Sequence, residues 1–316
     1  MLNVAFIVGL FPAVSETYII GQIAGLLRRD IKVRIFSFHR GDAFFATKEF
    51  SEYDMKSMVT FLDFPVRWPS RAILACKSAM QLLKTNPISV LRSLNIIKYG
   101  ADAWSLKLLC YTGQISTLDT DVVHCHYGKI ADQFRVLRDI LGLKQPWITT
   151  FYGSDVSHIP HQKGKYIYCE LALACPKFLV MSEDMKRRVI ALGFNPEKVF
   201  VHPVGIFPEN YSFGERLNHQ DPIRLATVAR LVEKKGVDDL LCALAEVKNR
   251  TAREFICTII GDGPLREPLY KLAHERNIDD IIKWTGFMRQ EDMINVLSEA
   301  DIYIQPSKTA ANGDME

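Results

Sequence analysis

The chain has 316 residues, 48% of them hydrophobic and 24% charged, with a formal net charge of +3. That length exceeds one typical domain and suits two, the composition is that of a globular protein, and the near-neutral balance argues against a nucleic-acid partner. Seven cysteines without a C-x-x-C pair do not read as a disulfide framework and point to a reducing, cytoplasmic setting.

In chain order, a short apolar run predicts a buried strand over 3–9. It lacks a basic leader and breaks at Pro12, so it does not read as a signal peptide, and no stretch reaches the roughly 20 apolar residues that span a bilayer. A helical pattern follows up to Arg29, then an alternating, β-branched strand over 32–38 and a third candidate strand over 57–62. The stretch 70–117 reads as mostly helical, punctuated by Pro87 and Gly100. Strand character returns over 121–126, 146–150, 178–181 and 199–202, with a helix over 131–141 and a helix capped by Ser182. The proline- and asparagine-rich stretch 207–222 reads as a linker. Beyond it, strands over 223–229, 255–260, 281–285 and 301–304 alternate with helices over 237–248, 265–276 and 291–300. Such alternation predicts parallel sheets covered on both faces. The expected organisation is an α/β first domain over 1–206, the linker, and a second α/β domain over 223–316, with ligands beyond the carboxyl ends of the strands.

Several residues at predicted strand ends carry polar chemistry. Arg230 and Lys235 lie on the loop from the first strand of the second half into a helix, where charge and helix dipole together favour an anion; a solvated surface loop is the plainer reading. Gly261 and Gly263, in Gly261-Asp262-Gly263-Pro264, form either a tight turn opening a helix or a place where backbone approaches a ligand. Position 266 is Arg, so this is no dinucleotide fingerprint. Ser15 and Glu16 look like a helix cap with an acidic first turn. His124 and His126 share one strand face; a metal would need a third ligand, and none is evident. Two histidines bonded to backbone is the alternative.

The stretch 65–110 breaks the charge balance. Its basic residues are Arg67, Arg71, Lys77, Lys84, Arg92, Lys98 and Lys107, against Asp102 alone, interleaved with Ile, Leu, Met and Trp. Such a segment reads either as a membrane surface or as core-packed helices with solvated edges.

These segments resemble family 4 of the retaining, nucleotide-sugar-dependent glycosyltransferases, in its exopolysaccharide or colanic-acid type. Ala229-Arg230-Leu231-Val232-Glu233-Lys234-Lys235-Gly236 is similar to the family's RL-x-x-K-K-G segment. Gly261-Asp262-Gly263-Pro264 resembles its GDGP turn, and Phe11-Pro12-Ala13-Val14-Ser15-Glu16-Thr17-Tyr18-Ile19 its F-P-x-x-S-E-T-F-I segment. His124-Cys125-His126-Tyr127-Gly128 resembles H-x-H-F-G. Thr150-Phe151-Tyr152-Gly153-Ser154-Asp155 is similar to T-x-H-G-x-D, with Tyr152 where many members carry His.

The resemblance implies two facing Rossmann-like domains of the GT-B type. It implies sugar transfer with retention from a nucleotide-sugar donor to an acceptor expected to be a lipid-linked saccharide. Arg230 and Lys235 would serve the donor diphosphate, Gly261 and Gly263 would lie beside the nucleotide, and Ser15, Glu16, His124 and His126 would line the acceptor side. Tyr152 would contact the sugar without acting as a base, since its ordinary pKa is near 10, and Asp155 would orient its loop or contact the acceptor. Glu316 would be the first Glu of the family's Glu-x7-Glu motif, beside the sugar. No obligatory metal or other cofactor is implied, because cationic side chains serve the diphosphate. The basic segment would hold the protein peripherally on an anionic membrane, on the inner face of the plasma membrane. Since the sequence stops on Glu316, the second domain is expected to be incomplete and this chain catalytically weak. The alternatives are a nucleotide-sugar epimerase of the same architecture and a non-catalytic remnant.

Overall fold

The computed structural model describes residues 1–13, 15–43, 47–211 and 222–315. The chain divides into two compact units. The first comprises Met1–Ala43, Lys48–Val156 and Lys163–Gly205, and the second takes in the remaining described residues, chiefly those after Gly205. Ser157–Gln162 group with the second unit, although they precede the linker in sequence.

The first unit is built on a seven-stranded parallel sheet of β1 (Asn3–Phe11), β2 (Lys32–Arg40), β3 (Val59–Phe61), β4 (Val122–His126), β5 (Trp147–Thr150), β6 (Lys177–Val180) and β7 (Val199–Val201). The strand order is β3-β2-β1-β4-β5-β6-β7. The chain steps outward from β1 to β3, then returns to the other side of β1 with β4, so the order reverses between β1 and β4. A crevice outside the carboxyl ends of two such strands is where open α/β sheets take ligands. Phe6, Ile7, Phe36, Phe134, Trp147, Phe151 and Phe178 are fully buried against the sheet, which explains why the central strands read as continuous apolar runs.

Two predictions for this half differ in detail. The third strand is only Val59–Phe61, because Asp54 takes a left-handed φ of 44° and Met55–Met58 curl into a 3-10 turn. The helical stretch is split into Trp68–Thr85, Pro87–Ser93, Ile96–Tyr99, Ala101–Trp104 and Lys107–Ile115. Two of the four breaks fall at Asn86, ahead of the Pro87 ring, and at Gly100 with φ 52°, both of which interrupt a helical backbone.

The second unit carries a four-stranded parallel sheet of β8 (Ile223–Val228), β9 (Phe255–Ile260), β10 (Ile282–Gly286) and β11 (Ile302–Tyr303), in the order β10-β9-β8-β11. Its order reverses between β8 and β11. Leu231, Leu241, Cys257, Ile259, Ala273 and Ile278 form the closed centre of its core. The edge strand β11 is held by Asp301 N–H donating to Arg224 O at 2.7 Å and by Ile304 N–H donating to Ala226 O at 2.9 Å. Its Ile302 and Tyr303 are half exposed. Of the linker 207–222, positions 212–221 lie outside the described residues.

Candidate functional site

Each unit gathers the nominated residues at its own strand reversal. In the first unit the chain leaves β1 at Phe11, β4 at His126 and β5 at Thr150. Three loops therefore converge, followed by the helices Thr17–Leu27, Gly128–Leu141 and Gly153–Val156.

Asp155 ties two of these loops together. It is fully buried; one carboxylate oxygen accepts from Gly128 N–H at 3.1 Å and from the Tyr168 hydroxyl at 3.3 Å, and the other accepts from Tyr152 N–H at 3.1 Å. Burial raises its pKa to about 7, against the lowering effect of those three donors. Of the two roles expected for Asp155, the geometry matches the first: it orients the loop and presents no exposed surface to a ligand. Gly128 is required there, since a Cβ would lie 2.4 Å from the Phe151 ring.

Tyr127, between His126 and Gly128, holds φ 71°. A non-glycine residue in that region is strained and is kept there by its surroundings. Its hydroxyl pairs with the Tyr18 hydroxyl and lies near enough to the Glu16 carboxyl to lower that group's pKa. The capping role expected of Ser15 and Glu16 needs correction. Glu16 is the N-cap of the helix Thr17–Leu27 by backbone alone, no side chain caps it, and the first turn holds no acid. The reason is competition: the Glu16 carboxyl is engaged by Tyr127 instead of the helix N–H groups. Ser15 is exposed.

The rings of His124 and His126 lie with centroids 4.2 Å apart, tilted by 31°, on the same face as the two-residue strand period requires. Both are buried, and they bond to side chains, not to backbone: His124 Nε2 pairs with Thr150 Oγ1 at 2.6 Å, and His126 Nδ1 with the Tyr152 hydroxyl at 2.9 Å. Burial lowers the His124 pKa to about 3 and holds His126 well below its ordinary value. The imidazoles are therefore neutral at physiological pH. Burial also raises Glu16, and it pushes the hydroxyls of Tyr18, Tyr127 and Tyr152 far above the ordinary tyrosine range. The two imidazoles and the three tyrosine hydroxyls are therefore a wall of neutral donors and acceptors, suited to hydroxyl-bearing ligands.

In the second unit, β8 runs into Ala229, Arg230 and Leu231, then a 3-10 turn Glu233–Lys235, Gly236 and the helix Val237–Arg250. Backbone bonds stitch this loop to its neighbours. Leu231 N–H donates to Asp262 O at 3.0 Å, Leu265 N–H donates to Leu231 O at 3.1 Å, and Lys308 N–H donates to Lys234 O at 2.8 Å. The glycines have an internal cause. A Cβ on Gly261 would lie 2.0 Å from Ala229 O, one on Gly263 2.5 Å from Leu231 O, and one on Gly236 1.9 Å from Pro306 O. Gly263 is thus demanded by the neighbouring protein backbone, whether or not a ligand also approaches it.

Arg230 is exposed at the end of β8, in no ion pair among the described residues. Lys234 pairs with Asp314 at 3.2 Å, and Lys235 is half-buried beside it. Glu316 lies outside the described residues. Among those residues no group of three or more His, Cys, Asp or Glu side chains is placed to hold a metal.

Sequence reasoning missed Tyr18, Tyr127 and Tyr168 as members of the first cluster. Tyr127 directly follows a predicted strand end and Tyr18 lies in a matched segment, which were the available signals; Tyr168 offered none. Sequence reasoning also missed a cavity of about 340 Å³ at the carboxyl ends of β2 and β3, lined by Phe38, Arg40, Phe61, Asp63, Phe64 and Tyr111. There the Arg40 guanidinium lies 4.1 Å over the Phe61 ring and pairs with Asp63 at 3.2 Å. Aromatic faces beside a charged pair are a surface that also suits sugars.

Comparison with known proteins agrees with this geometry. The model of Glycosyltransferase Family 4 matches residues 15–210, and that of glycosyl transferases group 1 matches residues 210–313. The chain is 30% identical over 318 residues to the amylovoran biosynthesis glycosyltransferase AmsK of Erwinia amylovora, covering 100% of this chain and 78% of that protein. It is 26% identical over 320 residues to the putative colanic acid biosynthesis glycosyltransferase WcaL of Escherichia coli K12, with the same coverage. In fold it resembles HepE of Anabaena, solved with UDP and glucose, with a TM-score of 0.63 at 13% identity over 98% of this chain and 75% of that one. The lipopolysaccharide outer core galactosyltransferase WaaB gives a TM-score of 0.55 at 18% identity over 97% of this chain and 74% of the other. The two parallel sheets, their strand-end loops and the match along the whole chain lead to one conclusion: this protein is a glycosyltransferase and belongs to Glycosyltransferase Family 4.

Proposed function

We propose that the protein transfers a sugar from a nucleotide-sugar donor to a saccharide acceptor, with retention at the anomeric carbon, in surface polysaccharide assembly. The observation that carries this reading is the exposed Arg230, in no ion pair among the described residues, on a loop fixed by three backbone bonds to neighbouring segments at the end of β8. As the glycosidic bond breaks, the leaving diphosphate gains negative charge, and a fixed cation stabilises that state more than the bound substrate. Lys235 adds a second charge, Glu316 is assigned to the sugar, and the diphosphate itself accepts the acceptor's proton. No metal is required in this scheme. The neutral cluster of the first unit would receive acceptor hydroxyls. The pathways printed in the names of AmsK and WcaL support a polysaccharide product.

The acceptor is proposed to be lipid-linked and the enzyme to sit peripherally on an anionic membrane. No helix among the described residues is long and apolar enough to cross a bilayer. The helices between Trp68 and Trp104 nevertheless leave Trp68, Ile73, Met80, Leu83 and Trp104 exposed among the lysines and arginines.

The test is calorimetry with a nucleoside diphosphate. A charge-assisted hydrogen bond is worth roughly 1.5–3 kcal/mol, so Arg230→Ala should weaken binding about tenfold or more. Unchanged affinity would remove Arg230 from the donor site. The anomeric configuration of the product, read by NMR, decides retention.

A further inference from the structure

A cavity of about 560 Å³ opens where the helix Pro87–Ser93 and the turn Ile96–Tyr99 meet the carboxyl end of the helix Gly128–Leu141. Arg92, Lys98, Arg138 and Lys144 line it, with Asp139 as the one carboxylate. Asp139 already has Arg135 at 3.8 Å. None of the four cations is in an ion pair among the described residues. Arg138 Nε is buried without a hydrogen-bond partner, and Arg92 Nη1 reaches the carbonyls of Asp139 and Ile140 only at 3.5 and 3.4 Å. One cation at a helix carboxyl end answers the dipole; four around one cavity exceed that need.

The surroundings are apolar and open. Leu91 is 75% exposed and Ile97 wholly so, and Ile88 and Ile96 are also exposed. A soluble anion gives no reason for uncovered aliphatic side chains beside its site, whereas a lipid surface supplies both a phosphate and an apolar layer.

We propose that this cavity binds the headgroup phosphate of an anionic phospholipid while the neighbouring aliphatic side chains enter the bilayer interface. The inference rests on the membrane reading above and gives it a defined site. The helix Gly128–Leu141 has 14 residues, about 21 Å, and its amino end belongs to the Glu16–Tyr152 cluster. A lipid at its carboxyl end is therefore a docking contact, separate from the acceptor position.

The experiment is flotation of the full chain with phosphatidylcholine vesicles, with and without phosphatidylglycerol. Wild type should bind only the anionic vesicles. Basic residues near such a surface contribute about 1 kcal/mol each, so Lys98→Ala/Lys144→Ala should bind roughly thirtyfold more weakly. Ile97→Asp should also lose binding. Both variants change exposed side chains and should keep the wild-type melting profile. The control Lys77→Ala/Lys84→Ala alters the same segment outside the cavity and should lose clearly less. An equal loss in that control would make binding a diffuse charge effect; it would overturn the cavity and leave the membrane reading standing. Absence of wild-type binding to either vesicle would overturn both, with the donor-binding assay still testing glycosyl transfer separately. Binding of free glycerol 3-phosphate without vesicle binding, or a dimer broken by Ile97→Asp, would also overturn the proposal.

Discussion

The histidines and tyrosines at the first unit's strand reversal are largely buried and neutral, while the side chains at the second unit's reversal include an exposed cation on a loop locked by backbone. His124 Nε2, His126 Nδ1, Tyr127 and Tyr152 pair with one another or with a neighbouring side chain, His126 Nε2 is left without a partner, and burial keeps these groups uncharged. Around β8 the side chains do less of the fixing: Leu231, Asp262, Leu265, Lys234 and Lys308 hold the loop through main-chain bonds. The two sheets thus arrive at a ligand-ready strand end by different physics. One makes a wall of hydrogen bonds of fixed direction, and the other aims a charge from a rigid turn.

The second arrangement is the more brittle. Gly261 sits at φ 134°, and an added Cβ would lie 2.0 Å from Ala229 O, a backbone atom that cannot swing aside. Gly261→Ala is expected to destabilise the second unit by about 3 kcal/mol or more, through strain and overpacking together. Gly205→Ala, where nothing lies within 4 Å of the new Cβ, is the matched control. Denaturant unfolding followed unit by unit would check this, and equal midpoints for the two variants would mean that the β8 and β9 loops are not locked as described.

Much of this contrast was legible before the structure. The strand Phe255–Ile260 and the helix starting at Val237 follow from apolar period and Gly236, and the family resemblance is borne out along the chain. The reason for Gly263 was not legible, because the atom that forbids a Cβ belongs to Leu231 and depends on which strands are neighbours. Nor could the Glu16 side chain be denied a capping role, since Tyr127 is distant in sequence and arrives only through the pairing of β1 with β4. Tyr168 carried no motif at all. Periodicity reports elements, and their side-chain partners depend on the order in which the sheet assembles them.

The first unit's cluster should fail more gradually. Asp155→Ala removes the acceptor of two buried N–H groups and the Tyr168 hydroxyl. Each unsatisfied donor costs about 1–3 kcal/mol without full additivity, so a loss of about 3 kcal/mol is expected. Asp155→Asn keeps one acceptor oxygen and isolates the charge. Because the folded-state pKa of Asp155 is raised to about 7, its contribution is fully present below the unfolded carboxylate value and is lost as pH rises through 7. His124 and His126 have lowered values, so theirs is present above the unfolded imidazole value and is lost on acidification. Glu16, also raised, acts in the sense of Asp155. Near pH 5 Asp155 therefore offsets part of the histidine effect. Asp155→Asn should steepen the loss of stability with acid by about 1.4 kcal/mol per pH unit. Parallel pH profiles of melting for variant and wild type would show that Asp155 does not titrate there.

The smallest expected effect separates hydrogen bonding from proton transfer at Tyr152. Its hydroxyl pairs with His126 Nδ1 at 2.9 Å, and its ring lies 4.7 Å from both Tyr18 and Tyr127. Tyr152→Phe keeps the ring contacts and removes the partner of His126 Nδ1, whose Nε2 already has none, which costs about 1–2 kcal/mol. Burial already pushes the hydroxyl away from ionisation, so it is a poor base near neutral pH. Turnover of Tyr152→Phe should stay within about tenfold of wild type, with an unshifted pH profile, because general-base removal typically costs on the order of a hundredfold or more. A larger fall in kcat together with a lost limb of the pH profile would assign the proton transfer to Tyr152. The neutral wall of the first unit would then have to be redrawn as an acid–base site.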